Sequence, residues 1–276
     1  MTDRSFTVAA LQMNSRRDLE ENLGAAERLV EEAAGRGAVV VALPELFNCC
    51  AEHAIMAQRA EPIPGPTSLR MAALARKLGI FLLAGSFAEE VFDRSGNRLV
   101  YNTSLLISSA GEVIASYRKI HLFDVSIPGG PEVEESRFFT AGDKVRAVPT
   151  PQGCFGLSIC YDLRFGGLFE VLADRGAEVL FLPSAFTVET GRDHWEILLR
   201  ARAIGNQAYV VAPNQVGEHA HGLASYGHSA IVDPWGEILA EAGGEGEAVI
   251  CAEISLGRLR EIRSHLPALA HRRSLV

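Results

Sequence analysis

The chain has 276 residues, of which 48% are hydrophobic, so it is long enough to bury one large core. Its formal net charge of -8, without a basic stripe, excludes the kind of surface that binds nucleic acid. No apolar run reaches the ~18 residues of a membrane-spanning helix, so we expect neither a nucleic-acid nor a membrane partner.

Strand-like and helix-like segments alternate along the chain. Short runs rich in Val, Ile, Leu and Phe predict strands at Phe6–Leu11, Ala38–Leu43, Phe81–Phe87, Thr103–Ser108, Phe155–Cys160, Val179–Pro183, Tyr209–Pro213, Ser229–Asp233 and Val249–Ile254. Apolar residues at helical spacing predict helices at Asp18–Gly35, Ser68–Leu78, Arg192–Gln207 and Leu256–Leu266. Such alternation is typical of a layered α/β domain. Because no linker-like segment or internal repeat interrupts it, we expect one domain over residues 1–276.

The longest stretch without a predicted element runs from Leu122 to Asp143. It contains Pro128, Gly129, Gly130 and Pro131. Loops of this length in compact domains are usually functional or mobile. This loop directly follows Lys119, which is itself a candidate site residue.

The cysteines and histidines favour free thiols over disulfides or a metal site. The five cysteines are odd in number and scattered, at positions 49, 50, 154, 160 and 251. Free thiols, and the lack of a signal-peptide pattern at the start of the chain, predict a cytoplasmic protein. His219, His221 and His228 lie close together without a neighbouring carboxylate or thiolate, so we expect no metal and no cofactor.

Three predicted element ends carry side chains suited to covalent hydrolysis. Cys160 ends an apolar run just before a polar turn, where a nucleophile is well held. No histidine lies near Cys160 in the sequence, so Glu45, at the end of another apolar run, is the better candidate base. An apolar wall around Glu45 would raise its pKa, which suits a base. Lys119 would stabilise the oxyanion of acyl transfer and favour the thiolate of Cys160.

Two of these residues also have a purely structural interpretation. Glu45 suits a helix N-cap or a loop carboxylate. Lys119 suits an exposed lysine on a polar turn. Position alone does not decide between the structural and the functional interpretation.

Three sequence blocks together resemble a known family. Leu43-Pro44-Glu45, Tyr117–Asp124 and Ser158–Phe165 are similar, in order and in spacing, to the catalytic blocks of the nitrilase superfamily of carbon–nitrogen hydrolases. Further similarity is found at Ala185–Gly191, His194-Trp195, Leu199–Ile204, Tyr226–Ser229 and Val232–Gly236, so it covers nearly the whole chain. The chain is most similar to the Nit branch, whose members are small-substrate amidases.

The resemblance implies a four-layer αββα sandwich with a Glu–Lys–Cys triad at one end of the sheets. It also implies a second glutamate in the loop after the lysine. Glu132, Glu134 and Glu135 are the candidates in this chain, and Glu135 followed by Ser136 best fits the family pattern. Since carboxylates in such loops are usually solvated, the assignment of Glu135 depends mainly on the resemblance.

The same resemblance implies amide hydrolysis through a thioester. Glu45 takes the thiol proton as Cys160 attacks the carbonyl carbon. Lys119 and the backbone N–H of Tyr161 hold the oxyanion. Either Glu45 or Glu135 then protonates the leaving ammonia, and Glu135 also has the alternative role of orienting the substrate amide.

Residues near the nucleophile are candidates for substrate binding. Arg164 either pairs with a carboxylate of the substrate or forms a structural ion pair with Asp162 or another acid. The predicted loop after the next strand supplies a pocket wall from Phe186, Thr187 and Thr190. The resemblance implies an ω-amide of a dicarboxylic acid or a deaminated-glutathione-type amide as the substrate. The alternatives are an N-carbamoyl amide, a nitrile, or a non-catalytic binding protein on the same fold.

One position departs from the family pattern. Gly166-Gly167 stands where the family commonly has Pro-Glu or Ala-Glu, a change expected to alter substrate preference or to loosen the start of the next helix.

The resemblance also implies a homodimer or a larger assembly. The helix Arg192–Gln207 and the tail Leu256–Val276 are the interface candidates, and Trp195 is expected in the core or in that interface.

Overall fold

Two six-stranded sheets form the centre of the structure, a computed structural model that describes residues 4–126, 132–219 and 223–273. Its strands are β1 (Ser5–Gln12), β2 (Val40–Ala42), β3 (Phe81–Phe92), β4 (Arg98–Ile107), β5 (Val113–Arg118), β6 (Asp124–Ser126), β7 (Glu132–Glu134), β8 (Arg146–Thr150), β9 (Gly153–Leu157), β10 (Val179–Phe181), β11 (Tyr209–Ala212), β12 (Val216–Glu218), β13 (Ala224–Tyr226), β14 (Ala230–Val232), β15 (Ile238–Glu241) and β16 (Ala248–Ser255). The first sheet has the order β16-β1-β2-β3-β4-β5, and the second has the order β15-β14-β11-β10-β9-β8. The pairs β6–β7 and β12–β13 form separate antiparallel ribbons.

The helices lie between these strands in sequence or follow the last of them. They are α1 (Leu19–Gly35), α2 (His53–Gln58), α3 (Pro66–Leu78), α4 (Gly166–Asp174), α5 (Val188–Asn206), α6 (Leu256–His265) and α7 (Ala268–His271). Single 3₁₀ turns occur at Glu135–Arg137 and Cys160–Arg164. None of these helices is long and apolar enough to cross a membrane.

Alternation of apolar side chains along the strands produces four layers. In β1, Val8 and Ala10 belong to the hydrophobic cluster that contains Phe155 and Leu157 of the second sheet. The intervening side chains of β1 belong instead to a cluster with the apolar faces of α1 and α3. The helices α4 and α5 cover the second sheet. Each sheet is thus buried on both faces, and the predicted α/β fold, a four-layer αββα sandwich, is confirmed.

Strand direction brings the functional segments to one edge of the first sheet. β2 and β3 are parallel, and β5 runs in the same direction because β4 is antiparallel to both of its neighbours. Glu45 therefore follows the end of β2, and Lys119 follows the end of β5, at the same edge. In the second sheet the parallel strands β9 and β10 are followed by Cys160 and Ala185 in the same way.

Several predicted boundaries are wrong. The strand Phe155–Cys160 ends at Leu157, because the chain turns before the cysteine. The helix predicted from Ser68 begins at Pro66, a residue whose fixed φ suits the first helical turn. The helix Arg192–Gln207 is α5, which begins at Val188.

The early start of α5 was hidden by residues of low helix propensity. Thr190, predicted in a loop, lies in the first turn of α5. Gly191, one residue later, is required there, because an added Cβ would come within 2.4 Å of the ring of Tyr226. β-Branched residues and glycine weaken a helical pattern in sequence, although tertiary packing stabilises it here.

The long loop predicted over Leu122 to Asp143 is partly regular. Its described residues include the β6–β7 ribbon and the 3₁₀ turn at Glu135–Arg137. The prediction for Pro128, Gly129, Gly130 and Pro131 falls outside the described residues. These elements fix the backbone on both sides of Glu135.

Candidate active site

Cys160 lies at a strained turn just after strand β9. Its φ is +45°, a left-handed conformation that is costly for a residue with a Cβ. Its backbone N–H donates to the carbonyl of Pro183 at 3.0 Å, which ties the turn to the segment after β10. Such strain persists only where surrounding contacts hold it, and it is typical of functional sites.

Asp162 supplies those contacts from inside the turn. Its fully buried carboxylate accepts hydrogen bonds from the backbone N–H of Ile159 at 2.9 Å and from the hydroxyl of Tyr117 at 2.7 Å. It also accepts from the backbone N–H of His121 at 3.1 Å and contacts the Nδ1 atom of that residue at 2.7 Å. Burial and the neighbouring Asp162 raise the pKa of Tyr117, so its hydroxyl stays protonated and donates. The turn after β9 is thereby fastened to the segment that carries the lysine.

Glu45, Lys119 and Glu135 form a buried ion cluster beside the cysteine. The Nζ atom of Lys119 lies 2.9 Å from Oε1 of Glu45 and 2.8 Å from Oε2 of Glu135. The three side chains are 3–4% exposed. The structural alternatives, an exposed lysine and a solvated loop carboxylate at Glu135, are therefore wrong.

Hydrogen bonds from neighbouring groups complete the cluster. Oε2 of Glu45 accepts from the backbone N–H of Ala185 at 2.8 Å, and Oε2 of Glu135 accepts from that of Phe123 at 2.6 Å. The side-chain amide of Asn102 donates to Glu45 at 2.9 Å and to Glu135 at 3.2 Å. The apolar wall expected around Glu45 is thus wrong, because its carboxylate lies among donors.

The pKa shifts in the cluster have opposing causes. Burial alone would lower the pKa of Lys119, but Glu135 and Glu45 raise it well above its usual value. Burial would raise the pKa of Glu135, but Lys119 holds it below its usual value. Burial and Glu45 raise the pKa of the Cys160 thiol, against the opposite effect of Lys119. The resting nucleophile is therefore a thiol, and a base must take its proton during attack.

The predicted site residues line one cleft. They are Glu45, Lys119, Glu135, Cys160, Tyr161, Arg164, Phe186, Thr187 and Thr190. Sequence reasoning missed further lining residues, among them Cys50, His53 and His219. It also missed Asn102, which stands beside the polar residues Thr103 and Ser104 of β4 and belongs to no motif.

Arg164 is the cation at the wall of this cleft. Its guanidinium lies 5.2 Å from the ring centre of Phe186 and 5.8 Å from that of Tyr161. One of its nitrogens lies 3.3 Å from Nδ1 of His194. Among the described residues no carboxylate lies within 4 Å of it, and Asp162 is occupied elsewhere. Arg164 therefore does not form the structural ion pair with Asp162 considered above.

His219 and His228 each have a hydrogen-bond partner within the protein, and Gly166-Gly167 lies outside the cleft. His219 contacts the carbonyl of Ser15 at 2.9 Å, and His228 contacts Glu241 at 2.7 Å, while His221 is outside the described residues. No group of three or more potential metal ligands occurs in the part of the chain described. Gly166-Gly167 forms the first turn of α4 and does not line the cleft, so any effect on substrate preference is indirect.

Comparison with known proteins identifies the family. The model of the carbon–nitrogen hydrolase family matches residues 7–264. The chain belongs to this family. Among curated relatives, the deaminated glutathione amidase of Synechocystis is 43% identical over 98% of both chains. Human omega-amidase NIT2 is 38% identical over 98% of this chain and 96% of its own length.

Solved structures of carbon–nitrogen hydrolases share this fold. The NitFhit protein of Caenorhabditis elegans matches with a TM-score of 0.87 and 40% identity, over 99% of this chain and 66% of its own. A mutant amidase from Nesterenkonia matches with a TM-score of 0.78 and 27% identity, over 95% and 98% of the two chains. In that structure acrylamide is attached by Michael addition at the active-site cysteine.

Proposed function

We propose that this carbon–nitrogen hydrolase is an amidase, which converts a small carboxamide to a carboxylate and ammonia through a thioester at Cys160. The observation that carries the proposal is the cluster of Lys119 with Glu45 and Glu135, buried beside a thiol in one cleft. The thiol has a base next to it, and the cleft has a cation where an oxyanion would form.

Acylation follows from these positions. The sulfur of Cys160 bonds to the amide carbon while its proton passes to Glu45. The negative charge on the carbonyl oxygen is stabilised by the ammonium of Lys119 and the backbone N–H of Tyr161. The carbon–nitrogen bond then breaks, and the nitrogen takes the proton from Glu45 and leaves as ammonia. Glu135 holds Lys119 in place and orients the substrate amide.

Deacylation uses the same groups in reverse. Water attacks the thioester carbon as Glu45 takes a proton from it. The carbon–sulfur bond breaks, the acid is released, and the proton returns from Glu45 to the sulfur of Cys160. No group beyond water and the substrate is needed for the reaction to balance.

A substrate panel tests this function. We expect ammonia release from ω-amides, and a mass increase at Cys160 that equals the acyl group when the reaction is quenched early. Turnover of N-carbamoyl compounds or nitriles alone would favour the alternative reactions on the same residues. Failure of every compound to release ammonia or to label Cys160 would favour a binding protein on this fold.

The substrate class is proposed to be an amide that carries a carboxylate. Arg164 supports this, because it lines the cleft and its guanidinium forms no ion pair with a carboxylate in the part of the chain that the structure describes. Two relatives are named deaminated glutathione amidase and omega-amidase, and both names fit an amide with a remote acid. A guanidinium binds such a carboxylate in a bidentate manner.

Replacing Arg164 with leucine is expected to raise KM for an ω-amide by about 10- to 100-fold, the value of a hydrogen bond to a charged group. KM for a short neutral amide should change little, because that substrate has no carboxylate to bind. Steady-state kinetics on both substrates measure the difference. Arg137→Leu is the control, since Arg137 also lies over an aromatic ring but does not line the cleft. An equal rise in KM for both substrates would contradict the proposed role.

We propose a homodimer or larger assembly through α5. Ile197 and Ile204 of α5 and the neighbouring Trp235 are 68%, 50% and 59% exposed, which leaves an apolar surface on this helix. The tail from Leu256, the other predicted interface, is described as far as residue 273 and exposes Leu266.

Replacing Ile197 with glutamate is expected to shift the chain toward the monomer, because a charge would be buried at the interface. Light scattering after size-exclusion chromatography measures the mass. Leu69→Glu on α3 is the matched control, since Leu69 is a similarly exposed apolar residue on the opposite helical layer. A monomeric wild-type protein, or equal masses for all three, would contradict this interface.

Two further expectations belong to the same proposal. We propose that residues 1–276 form one domain, which is supported by a family match over 7–264 and by a hydrophobic cluster shared between the sheets. We also propose a cytoplasmic location. All five cysteines are free, as is common in a reducing compartment.

A further inference from the structure

Asn102 contacts both carboxylates of the buried cluster. It belongs to β4, and its side chain is almost fully buried. Its Nδ2 atom lies 2.9 Å from Oε1 of Glu45 and 3.2 Å from Oε1 of Glu135. Lys119 bonds the same two oxygens, at 2.9 and 3.2 Å. The two carboxylates are thus joined by one cation and one neutral amide.

The backbone of Asn102 also fixes the lysine. Its carbonyl accepts the N–H of Lys119 at 2.9 Å, just beyond the end of β5. One residue therefore positions three members of the cluster: Lys119 through the main chain, and Glu45 and Glu135 through the side chain.

The bonds of Asn102 leave one oxygen of Glu45 for the reaction. Oε1 of Glu45 is occupied by Lys119 and Asn102. Oε2 accepts the N–H of Ala185, a group that also acts on the Cys160 thiol. Rotation of the carboxylate would exchange these two oxygens, and the amide of Asn102 opposes that rotation.

The chemistry of the side chain suits this role. The cluster contains two carboxylates and one ammonium, and an amide adds a donor to each carboxylate without adding charge. The Oδ1 atom of Asn102 has no hydrogen-bond partner among the described residues. A buried carbonyl without a partner is destabilising, so stability alone does not explain an asparagine at this position.

We propose that Asn102 is a positioning residue for the hydrolysis described above, and this inference rests on that proposed function. Its amide holds Glu45 so that one carboxylate oxygen receives the thiol proton, and it holds Glu135 on Lys119. Asn102 touches neither the substrate nor the sulfur in this scheme, and it acts through the two glutamates.

The variant Asn102→Ala is expected to lower kcat for an ω-amide by about 10- to 100-fold, because hydrogen bonds to two charged groups are lost. KM should change by less than about threefold, since Asn102 does not line the cleft. Ser104→Ala is the matched control: Ser104 is buried two residues further along β4, and its hydroxyl also has no partner among the described residues. It should retain wild-type kinetics.

The variant Asn102→Asp adds a readout that a general loss of packing would not give. When the new carboxyl is protonated, it can still donate to one glutamate. When it is ionised, it adds a third negative charge beside Glu45 and Glu135 and removes the donor, with only Lys119 to balance them. The ratio of kcat/KM for this variant to that of the wild type should therefore fall as the pH rises and recover as it is lowered.

Alkylation of Cys160 by iodoacetamide, followed by mass spectrometry, separates this inference from the proposed function. If the wild-type protein releases no ammonia from any amide, the proposed function fails. In that case, slower alkylation of Cys160 in Asn102→Ala but not in Ser104→Ala would still show that Asn102 positions Glu45 as the base for the thiol. The inference is overturned if both Asn102 variants have the kcat, the pH dependence and the alkylation rate of the wild type.

Discussion

Replacing Cys160 with alanine is expected to lower kcat for amide hydrolysis by about 10⁴-fold or more, because the atom that bonds to the substrate is lost. The residual rate would come from the oxyanion-stabilising groups alone. The fold should be retained, because alanine occupies the same turn with a smaller side chain and makes the same backbone bond to Pro183. Ammonia release measures the activity, and circular dichroism checks the fold.

The matched control for this variant is Cys154→Ala. Cys154 lies at the start of β9, the strand that leads to Cys160, and is half-buried outside the cleft. Its replacement should leave kcat unchanged. Loss of activity in Cys154→Ala, or amide hydrolysis at the wild-type rate in Cys160→Ala, would contradict a thioester at Cys160.

Replacing Lys119 with methionine is expected to lower kcat by about 10³-fold and to destabilise the fold by about 3–5 kcal/mol. The activity falls because no ammonium remains to stabilise the oxyanion. The stability falls because Glu45 and Glu135 are left buried without their cation. Urea unfolding and ammonia release measure the two effects. Lys77→Met is the control: Lys77 lies 2.7 Å from Glu31 in an exposed ion pair, so its loss should change stability little.

The same variant should change how stability depends on pH. In the wild type, the raised pKa of Lys119 stabilises the fold below the lysine's unfolded pKa of about 10.4, and this stabilisation is lost as the pH rises through the folded value. The lowered pKa of Glu135 stabilises the fold above the unfolded pKa of about 4.3, and this is lost as the pH falls through the folded value. Both contributions to the free energy of unfolding are complete at pH values between these two unfolded pKa values.

Without Lys119 the direction of the pKa shift of Glu135 reverses. Burial then raises the pKa of Glu135, so the variant loses stability as the pH rises above the unfolded carboxyl pKa. The difference in unfolding free energy between wild type and variant should therefore grow from about pH 5 to about pH 8. A difference that is constant over this range would show that Glu135 is not an ionised neighbour of Lys119.

The sequence predicts the layered fold because both sheets are buried on both faces. Apolar runs such as Val179–Pro183 follow directly from that burial. The edge strands β5, β8 and β15 were missed, because their residues are largely half-buried or exposed and their patterns are weak. The short helix α2 has too few residues to show a period.

The site could be predicted at positions where a chemically suitable side chain follows the end of a strand. Glu45 and Cys160 each end an apolar run, Lys119 follows strand β5, and the order of the three residues matches the family blocks. The burial of Glu135 was not predictable, because it depends on Lys119 and the N–H of Phe123, which lie close only in the folded chain. Asn102 follows no motif, since its role is defined by two carboxylates that are 57 and 33 residues away.

Asp162 has a consequence for the folding of this chain. It belongs to the turn after β9 of the second sheet, and it is bonded to Tyr117 and His121, which flank the lysine at the end of the first sheet. Glu45 and Lys119 come from one sheet and Cys160 from the other. A chain in which the sheets have formed but not docked would hold the cysteine without Glu45 as its base and without Lys119 as the cation for an oxyanion. Catalytic competence at this thiol therefore requires that the two halves of the sandwich have met.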